Sequence, residues 1–197
     1  MYEYKNGNNT AVVVLHEIYG VNNFIKDMCI KLHKEKVDVF CPSLLKDKCF
    51  SYSDSDAAYK YFMDEIGFEV YKKIQSLVKE LKNNYEKVII IGFSVGATIA
   101  WRCSETTLCD GIICCYGSRI RDYLQMNPCC NVLLLFAEYD SFDVNSVIVQ
   151  LKKKKNIKIV KFKAKHGFLD KYNCNYDLEK YNIANTYIEQ FITVNTK

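Results

Sequence analysis

The sequence predicts an α/β fold: a mostly parallel central sheet with helices on both faces. Three observations carry this. Apolar, β-branched runs alternate with segments of helical periodicity along the chain, the order that parallel strands with crossover helices require. Several runs are apolar at nearly every position, as strands buried on both faces are. The stretch 87–100, KVIIIGFSVGATIA, passes from such a run through G-x-S-x-G into small, helically spaced residues. That is a strand, a tight turn and a helix, and the turn lifts the Ser94 hydroxyl above the sheet edge.

Taken in order, residues 2–4 form a short edge strand and residues 11–16 a buried one. A helix is expected over 22–36, with Phe24, Met28, Leu32 and either Cys29 or Ile30 on its apolar side. Strand 37–41 stops at Pro42. Residues 43–55 read as a polar loop and 57–63 as a short helix. After Gly67, the spacing of Val70, Ile74, Leu77, Val78 and Leu81 predicts a firmer helix. The elbow strand and its helix run to about residue 104. Strands follow at 111–116, 132–137 and 157–162, with helices at 143–151 and 178–192. The last helix presents Tyr181, Ala184, Ile188 and Phe191. No long insertion separates strands 111–116 and 132–137, so no large lid is expected there.

Composition narrows the classes. A chain of 197 residues, 49% hydrophobic and 25% charged, fits one domain over 1–197 with a sizeable core. The net charge of +4 comes from lysine, since arginine occurs only at 102, 119 and 121. The longest basic run, Lys152 to Lys155, falls where a helix should end. It has no interleaved aromatics, so it reads as a solvated face and no nucleic-acid partner is expected. Ten cysteines would suit a disulfide scaffold, but the sequence opposes one. Residues 1–10 are polar, 11–15 are too short for a signal core, and Cys41, Cys114 and Cys115 sit in strand-like runs. The expectation is free thiols in a reducing cytoplasm. No C-x-x-C occurs and the three histidines are scattered, so no metal site is expected. No stretch is long enough to span a membrane. The expected partner is a small molecule; the oligomeric state is left open.

The chemistry centres on Ser94. A serine hydroxyl is a weak nucleophile near neutral pH and needs a base, which in turn needs an orienting acid. On this architecture the order is Ser, acid, His. Only His166 follows Ser94, so it is the base by elimination. Asp140, three residues beyond strand 132–137, is the acid; Asp143 is the runner-up and could instead cap the next helix. His16 either lines the site or is a packed, hydrogen-bonded histidine. An oxyanion needs two backbone N–H donors. Val95, directly after the nucleophile, and Ile18, in the loop after strand 11–16, are the candidates.

Residues 12–22, VVVLHEIYGVN, followed by Ile25-Lys26-Asp27, resemble the dienelactone hydrolase family. That family shows a strand, then E-I-[FY]-G-[VL]-N, then a helix with an [RK]-D pair. The resemblance extends through Cys41-Pro42-Ser43-Leu44, the elbow, Tyr116-Gly117, Asp140 and His166-Gly167-Phe168, roughly residues 11 to 170. It implies an α/β-hydrolase fold and hydrolysis of a small ester or lactone through an acyl-enzyme, without metal or cofactor. Family members carry Cys at the elbow, where this chain has Ser94, and usually Gly where it has Ala97. The family glutamate matching Glu17 interacts with that thiol and controls its charge; beside a hydroxyl, Glu17 is read as ordering the site. The family holds a substrate carboxylate with an Arg four residues past the catalytic His, and here that residue is Asp170. Asp170 is therefore expected to disfavour anionic substrates. Tyr116 and Arg119 are expected at the substrate, with Arg119 overhanging the site from the strand 111–116. The leading reading is a serine hydrolase. Thioesterase, peptidase and acyl-transferase chemistry would use the same three residues, and an idle binding protein would not need all three.

Overall fold

In the computed structural model, which describes residues 1–196, the buried runs become one seven-stranded sheet. Its strands are β1 (Tyr2–Tyr4), β2 (Thr10–Leu15), β3 (Asp38–Cys41), β4 (Lys87–Phe93), β5 (Gly111–Cys115), β6 (Asn131–Tyr139) and β7 (Ile157–Lys165). They lie in the order β1-β3-β2-β4-β5-β6-β7. Only β1 is antiparallel to its neighbour. The central strands β2, β4 and β5 are buried almost throughout, which is why they read as uninterrupted apolar runs.

Two apolar layers cover the faces. Helices α1 (Asn23–His33) and α6 (Leu178–Asn195) pack Phe24, Met28, Ala184 and Ile188 on one side. Helices α2 (Ser55–Glu65), α3 (Tyr71–Leu81), α4 (Val95–Arg102) and α5 (Val144–Leu151) pack Phe62, Ile74, Trp101 and Val147 on the other. On α1 the open choice resolves to Cys29, which is buried, while Ile30 is exposed. Among the described residues, no helix is long and apolar enough to cross a membrane. All ten cysteines are free, seven of them buried.

Three expected boundaries move. Strands β6 and β7 continue to Tyr139 and Lys165, past residues 137 and 162. On β7 the lysines 158, 161, 163 and 165 are exposed while Phe162 and Ala164 are buried. The polar residues end the apolar run but not the strand, and lysines on an edge strand discourage pairing with another chain. The segment 43–55 is not a plain polar loop. Leu44 and Leu45 are buried, Tyr52–Asp54 forms a 3-10 turn, and α2 begins at Ser55. Between β5 and β6 the chain makes only the short turn Ser118–Asp122, so no lid is built there.

The β4–α4 turn is the tightest place in the fold. Ser94 has φ +53° and ψ −114°, a conformation costing on the order of 1–3 kcal/mol for a residue with a side chain. Its neighbours leave no room for one. A Cβ on Gly92 would lie 2.2 Å from the Gly96 carbonyl oxygen, and one on Gly96 2.4 Å from the Leu15 carbonyl oxygen. We expect Gly96→Ala to destabilise the protein by about 2 kcal/mol or more, an overpacking cost against immobile backbone. Urea unfolding should show the midpoint falling at unchanged slope. An unchanged midpoint would mean that β2 and α4 can move apart freely.

Candidate active site

Four strand ends meet at one rim of the sheet. In parallel sheets, carboxyl ends are where ligands are bound, because the loops there are free to diverge. The loop after β2 brings Glu17 and Ile18, the β4–α4 turn brings Ser94 and Val95, Asp140 follows β6, and His166 follows β7. Asp140 directly follows its strand, and a register irregularity lies between Ala137 and Tyr139 just before it. Such bulges re-aim the next side chains.

The three side chains form a hydrogen-bonded series. His166 Nε2 lies 2.9 Å from Ser94 Oγ, and His166 Nδ1 lies 2.7 Å from Asp140 Oδ2. An ionised Asp140 can only accept, so Nδ1–H donates to it and Nε2 accepts from the serine hydroxyl. Asp140 Oδ1 accepts from the Ser141 N–H at 2.7 Å. The His166 carbonyl is held by the Asn175 side-chain amide at 2.9 Å. Asp143, the alternative acid, points elsewhere. It caps α5 by accepting the N–H groups of Asn145 at 3.0 Å and Ser146 at 3.2 Å.

Electrostatics follow from that series. Burial by itself would depress the His166 pKa. The Asp140 hydrogen bond and charge, with the more distant Glu17 carboxylate, outweigh burial and raise it above the ordinary value. Burial pushes Asp140 up, and its bonds to His166 and Ser141 more than compensate, so it titrates below the usual carboxylate range.

A second tier lies beneath. His16 is fully buried: Nδ1–H donates to the Glu17 carbonyl at 2.6 Å and Nε2 accepts from the Leu44 N–H at 2.8 Å. Burial lowers its pKa to about 4, so the ring is neutral and fastens the β2 loop to the segment after β3. Of its two sequence readings, the packed one holds. The Glu17 carboxyl is buried, with Oε1 lacking a hydrogen-bond partner. Burial raises its pKa to about 7, His166 opposing and Asp170 reinforcing the shift.

Two sequence expectations are corrected here. Tyr116 does not meet the substrate cleft. At φ +42° its side chain turns down into the core, where it is fully buried against His166, with ring centroids 5.0 Å apart, and against Phe168 at 5.7 Å. Its hydroxyl faces the Glu17 carboxyl without good hydrogen-bond alignment. Asp170 is likewise absent from the cleft. It is fully buried, accepting the Tyr52 hydroxyl and the Tyr172 N–H, so it cannot confront a substrate anion.

The cleft above Ser94 has a volume of about 680 Å³ and is lined by Ile18, Ser94, Val95, Arg119, Asp140 and His166. Tyr59 of α2, Tyr139 and Lys165 extend it, none of them singled out by the sequence. Their signal was hidden: Tyr59 belongs to a helix whose place over the site depends on tertiary packing, and Tyr139 and Lys165 lie in the unread ends of β6 and β7. Arg119 Nε is 3.1 Å from Asp122 Oδ2 but poorly aligned for a hydrogen bond. Val95 opens α4, so its N–H has no intrahelical acceptor and is available to an anion in the cleft. Among the described residues, no three His, Cys, Asp or Glu side chains are grouped to hold a metal ion.

Comparisons with known proteins agree with this architecture. A model of the dienelactone hydrolase family matches residues 1–193. The protein YczH of Bacillus subtilis (strain 168), described as uncharacterized, is 40% identical over 162 residues, covering 80% of this chain and 79% of its own length. Among solved structures, a putative dienelactone hydrolase from Klebsiella pneumoniae superposes with a TM-score of 0.80 at 16% identity, over 96% of this chain and 89% of that one. A dienelactone hydrolase-like promiscuous phosphotriesterase from metagenomic libraries gives 0.76 at 18% identity, over 98% and 89%.

The His166–Asp140 pair makes a titration prediction. His166 should take up its proton above pH 6.5, the ordinary imidazole value, and Asp140→Asn should move that uptake downward. Since the folded-state pKa is raised, the pair stabilises the fold below about pH 6.5, and that contribution is lost as pH rises through the folded value. NMR of the imidazole nitrogens reads both. A His166 that titrates identically in the Asn variant would disprove the coupling.

Proposed function

Because the chain belongs to the dienelactone hydrolase family and is a hydrolase, we propose that it cleaves a small ester or lactone with Ser94 as nucleophile. The supporting observation is the series Ser94–His166–Asp140, with distances of 2.9 and 2.7 Å, opening on a cleft. As Ser94 Oγ attacks the carbonyl carbon, its proton passes to His166 Nε2, and Asp140 balances the imidazolium charge. The oxyanion is received by the N–H groups of Val95 and Ile18. Collapse expels the alkoxide, which takes the proton from Nε2, and leaves an acyl-Ser94 ester. Water, deprotonated by His166, then attacks that ester; the acid departs and Ser94 recovers its proton. Glu17 and Tyr116 support the imidazole from below and touch no substrate.

Substrate size and charge follow from the lining. The cleft is open to solvent, so it removes few methylenes from water, each worth about 0.8 kcal/mol when fully buried. Short acyl groups are therefore turned over about as well as long ones. With Asp170 buried elsewhere, the charged residues of the cleft are Arg119 and Lys165 against Asp56 and Asp140, and Arg119 lies 3.1 Å from Asp122. The expectation of a neutral substrate, which rested on Asp170, is replaced by tolerance of an anionic group near Arg119.

A fluorophosphonate adduct should map to Ser94 by mass spectrometry; an adduct on a cysteine with Ser94 unmodified would sink the assignment. Ser94→Ala and His166→Ala should each lower kcat at least about a thousandfold, and the double variant should be little worse, since such groups act as a unit. For a matched pair of short esters at low salt, Arg119→Ala should cut kcat/KM for the carboxylate-bearing one about fivefold, the size of a partly exposed ion pair. The neutral ester should stay within about twofold. Equal losses on both would remove Arg119 from substrate recognition.

A further inference from the structure

We propose that Tyr52 and Asp170 are a positioning pair: their partly buried hydrogen bond holds the His166 loop and the Ile18 loop in mutual register. The proposal rests on the hydrolase reading above and concerns how its two halves, base and oxyanion donors, are kept aligned.

The geometry is a convergence of three loops on one hydroxyl. Asp170, four residues past His166, is fully buried. Its Oδ1 accepts the Tyr172 N–H at 2.9 Å, and its Oδ2 accepts the Tyr52 hydroxyl. Asp170 N–H in turn donates to the Gly167 carbonyl at 3.0 Å, so the carboxyl is tied to the residue beside His166. The same Tyr52 oxygen accepts from the Asn22 side-chain amide at 2.9 Å. Asn22 Oδ1 caps α1 by accepting the Ile25 N–H at 3.1 Å. Tyr52 thus joins the loops that follow β2, β3 and β7.

Its ring reaches the oxyanion side directly. The Tyr52 and Tyr19 centroids are 4.7 Å apart, and Tyr19 adjoins Ile18. The Tyr19 carbonyl accepts the Phe50 N–H at 3.2 Å. At Gly20, with φ +81°, a Cβ would lie 2.3 Å from the Lys48 carbonyl oxygen. The β2 loop therefore rests on residues 48–52, and residues 48–52 are pinned to the His166 loop through Asp170. Other ties between the β7 loop and α1, the Tyr172 hydroxyl and Lys171 to Asp27, are exposed and contribute little. A buried carboxylate without partners is costly, so this one, with both oxygens engaged, has a defined geometry that it imposes on its neighbours. Displacing an oxyanion donor by about 1 Å can cost a hundredfold in rate.

Tyr52→Phe isolates the hydroxyl, because the ring remains against Tyr19. With p-nitrophenyl acetate, kcat should fall about tenfold or more while KM stays within about twofold. The rate of fluorophosphonate labelling at Ser94 should fall by the same factor. Asp170→Asn keeps one acceptor oxygen, enough for Tyr52 or for the Tyr172 N–H but not for both, and should lower kcat no more than Asp170→Ala does. Asn22→Ser keeps the helix cap but removes the donor to Tyr52, and should lower kcat a few-fold, about threefold. Combining Tyr52→Phe with Asp170→Ala should cost no more than the worse single variant, as for two ends of one interaction. A merely structural pair would lower thermal stability and leave kcat of the folded fraction, titrated by active-site label, unchanged; that result overturns the proposal. So does a Tyr52→Phe loss appearing in KM alone. Ser94→Ala assayed beside them separates the two claims: if it keeps the wild-type rate, the hydrolase reading fails and the positioning pair with it. If it is inactive while Tyr52→Phe is fully active, only the positioning pair fails.

Discussion

The close passage of β2 and α4 is the constraint on which the rest of the site depends. Gly96 lets the start of α4 come against the carbonyls of Leu15 and His16, and Gly92 lets the turn close on itself. Only then can Ser94 adopt its positive φ and project above the sheet, with the N–H of Val95 at its side. The same approach brings the end of β2 beside Ser94, so Ile18 borders the cleft. One steric requirement thus places Ser94 and both prospective anion donors, and the strain at Ser94 is offset by the packing that enforces it.

Around that fixed point, the polar groups divide by charge state. His166 must remain able to gain a proton, and Asp140, bonded through both oxygens, makes that favourable despite burial. His16 lies just before the β2 loop yet stays neutral, because burial lowers its pKa to about 4. Two imidazoles in one fold therefore have opposite electrostatics for a stated reason: one faces a carboxylate, the other a carbonyl and an N–H. Ser94 also changes what Glu17 is asked to do. A hydroxyl is not ionised near neutral pH, so it needs the base on His166 rather than control of a standing negative charge. A carboxyl whose own pKa is raised to about 7 is only partly ionised near neutral pH beneath the site.

The sheet, its central strands and the elbow were legible because each rests on local pattern: buried strands are apolar at every position, and a strained turn demands glycines. The series Ser94, Asp140 and His166 was legible for a similar reason, since strand ends and chain order limited the choices. Asp143 could not be dismissed without seeing its side chain cap α5. What escaped has tertiary causes. The exposed lysines of β7 hid three further residues of strand, so the predicted strand stopped at residue 162 although His166 directly follows Lys165. Tyr116 was read as facing substrate because its place next to Gly117 says nothing of a positive φ that turns the ring inward. Tyr59 and Tyr139 reach the cleft only because of how α2 and β6 are seated.

Asp170 is the residue whose meaning changed most between sequence and structure. By resemblance it occupies a place where a cation meets substrate, and charge reversal there reads as repulsion. The structure turns that side chain away from the cleft and under Tyr52. A long, always-charged side chain suits a wet cleft, whereas a short carboxyl can be enclosed and saturated by a hydroxyl and a backbone N–H. Reversing the charge therefore exchanges a ligand contact for an internal one. The positive charge of the cleft then falls to Arg119 and Lys165, after β5 and at the end of β7. Cation placement has been decoupled from the loop that carries His166. On the proposed reading, substitutions at Arg119 alter substrate choice and leave His166 in place, while substitutions at Tyr52 or Asp170 act on His166 and the Ile18 loop.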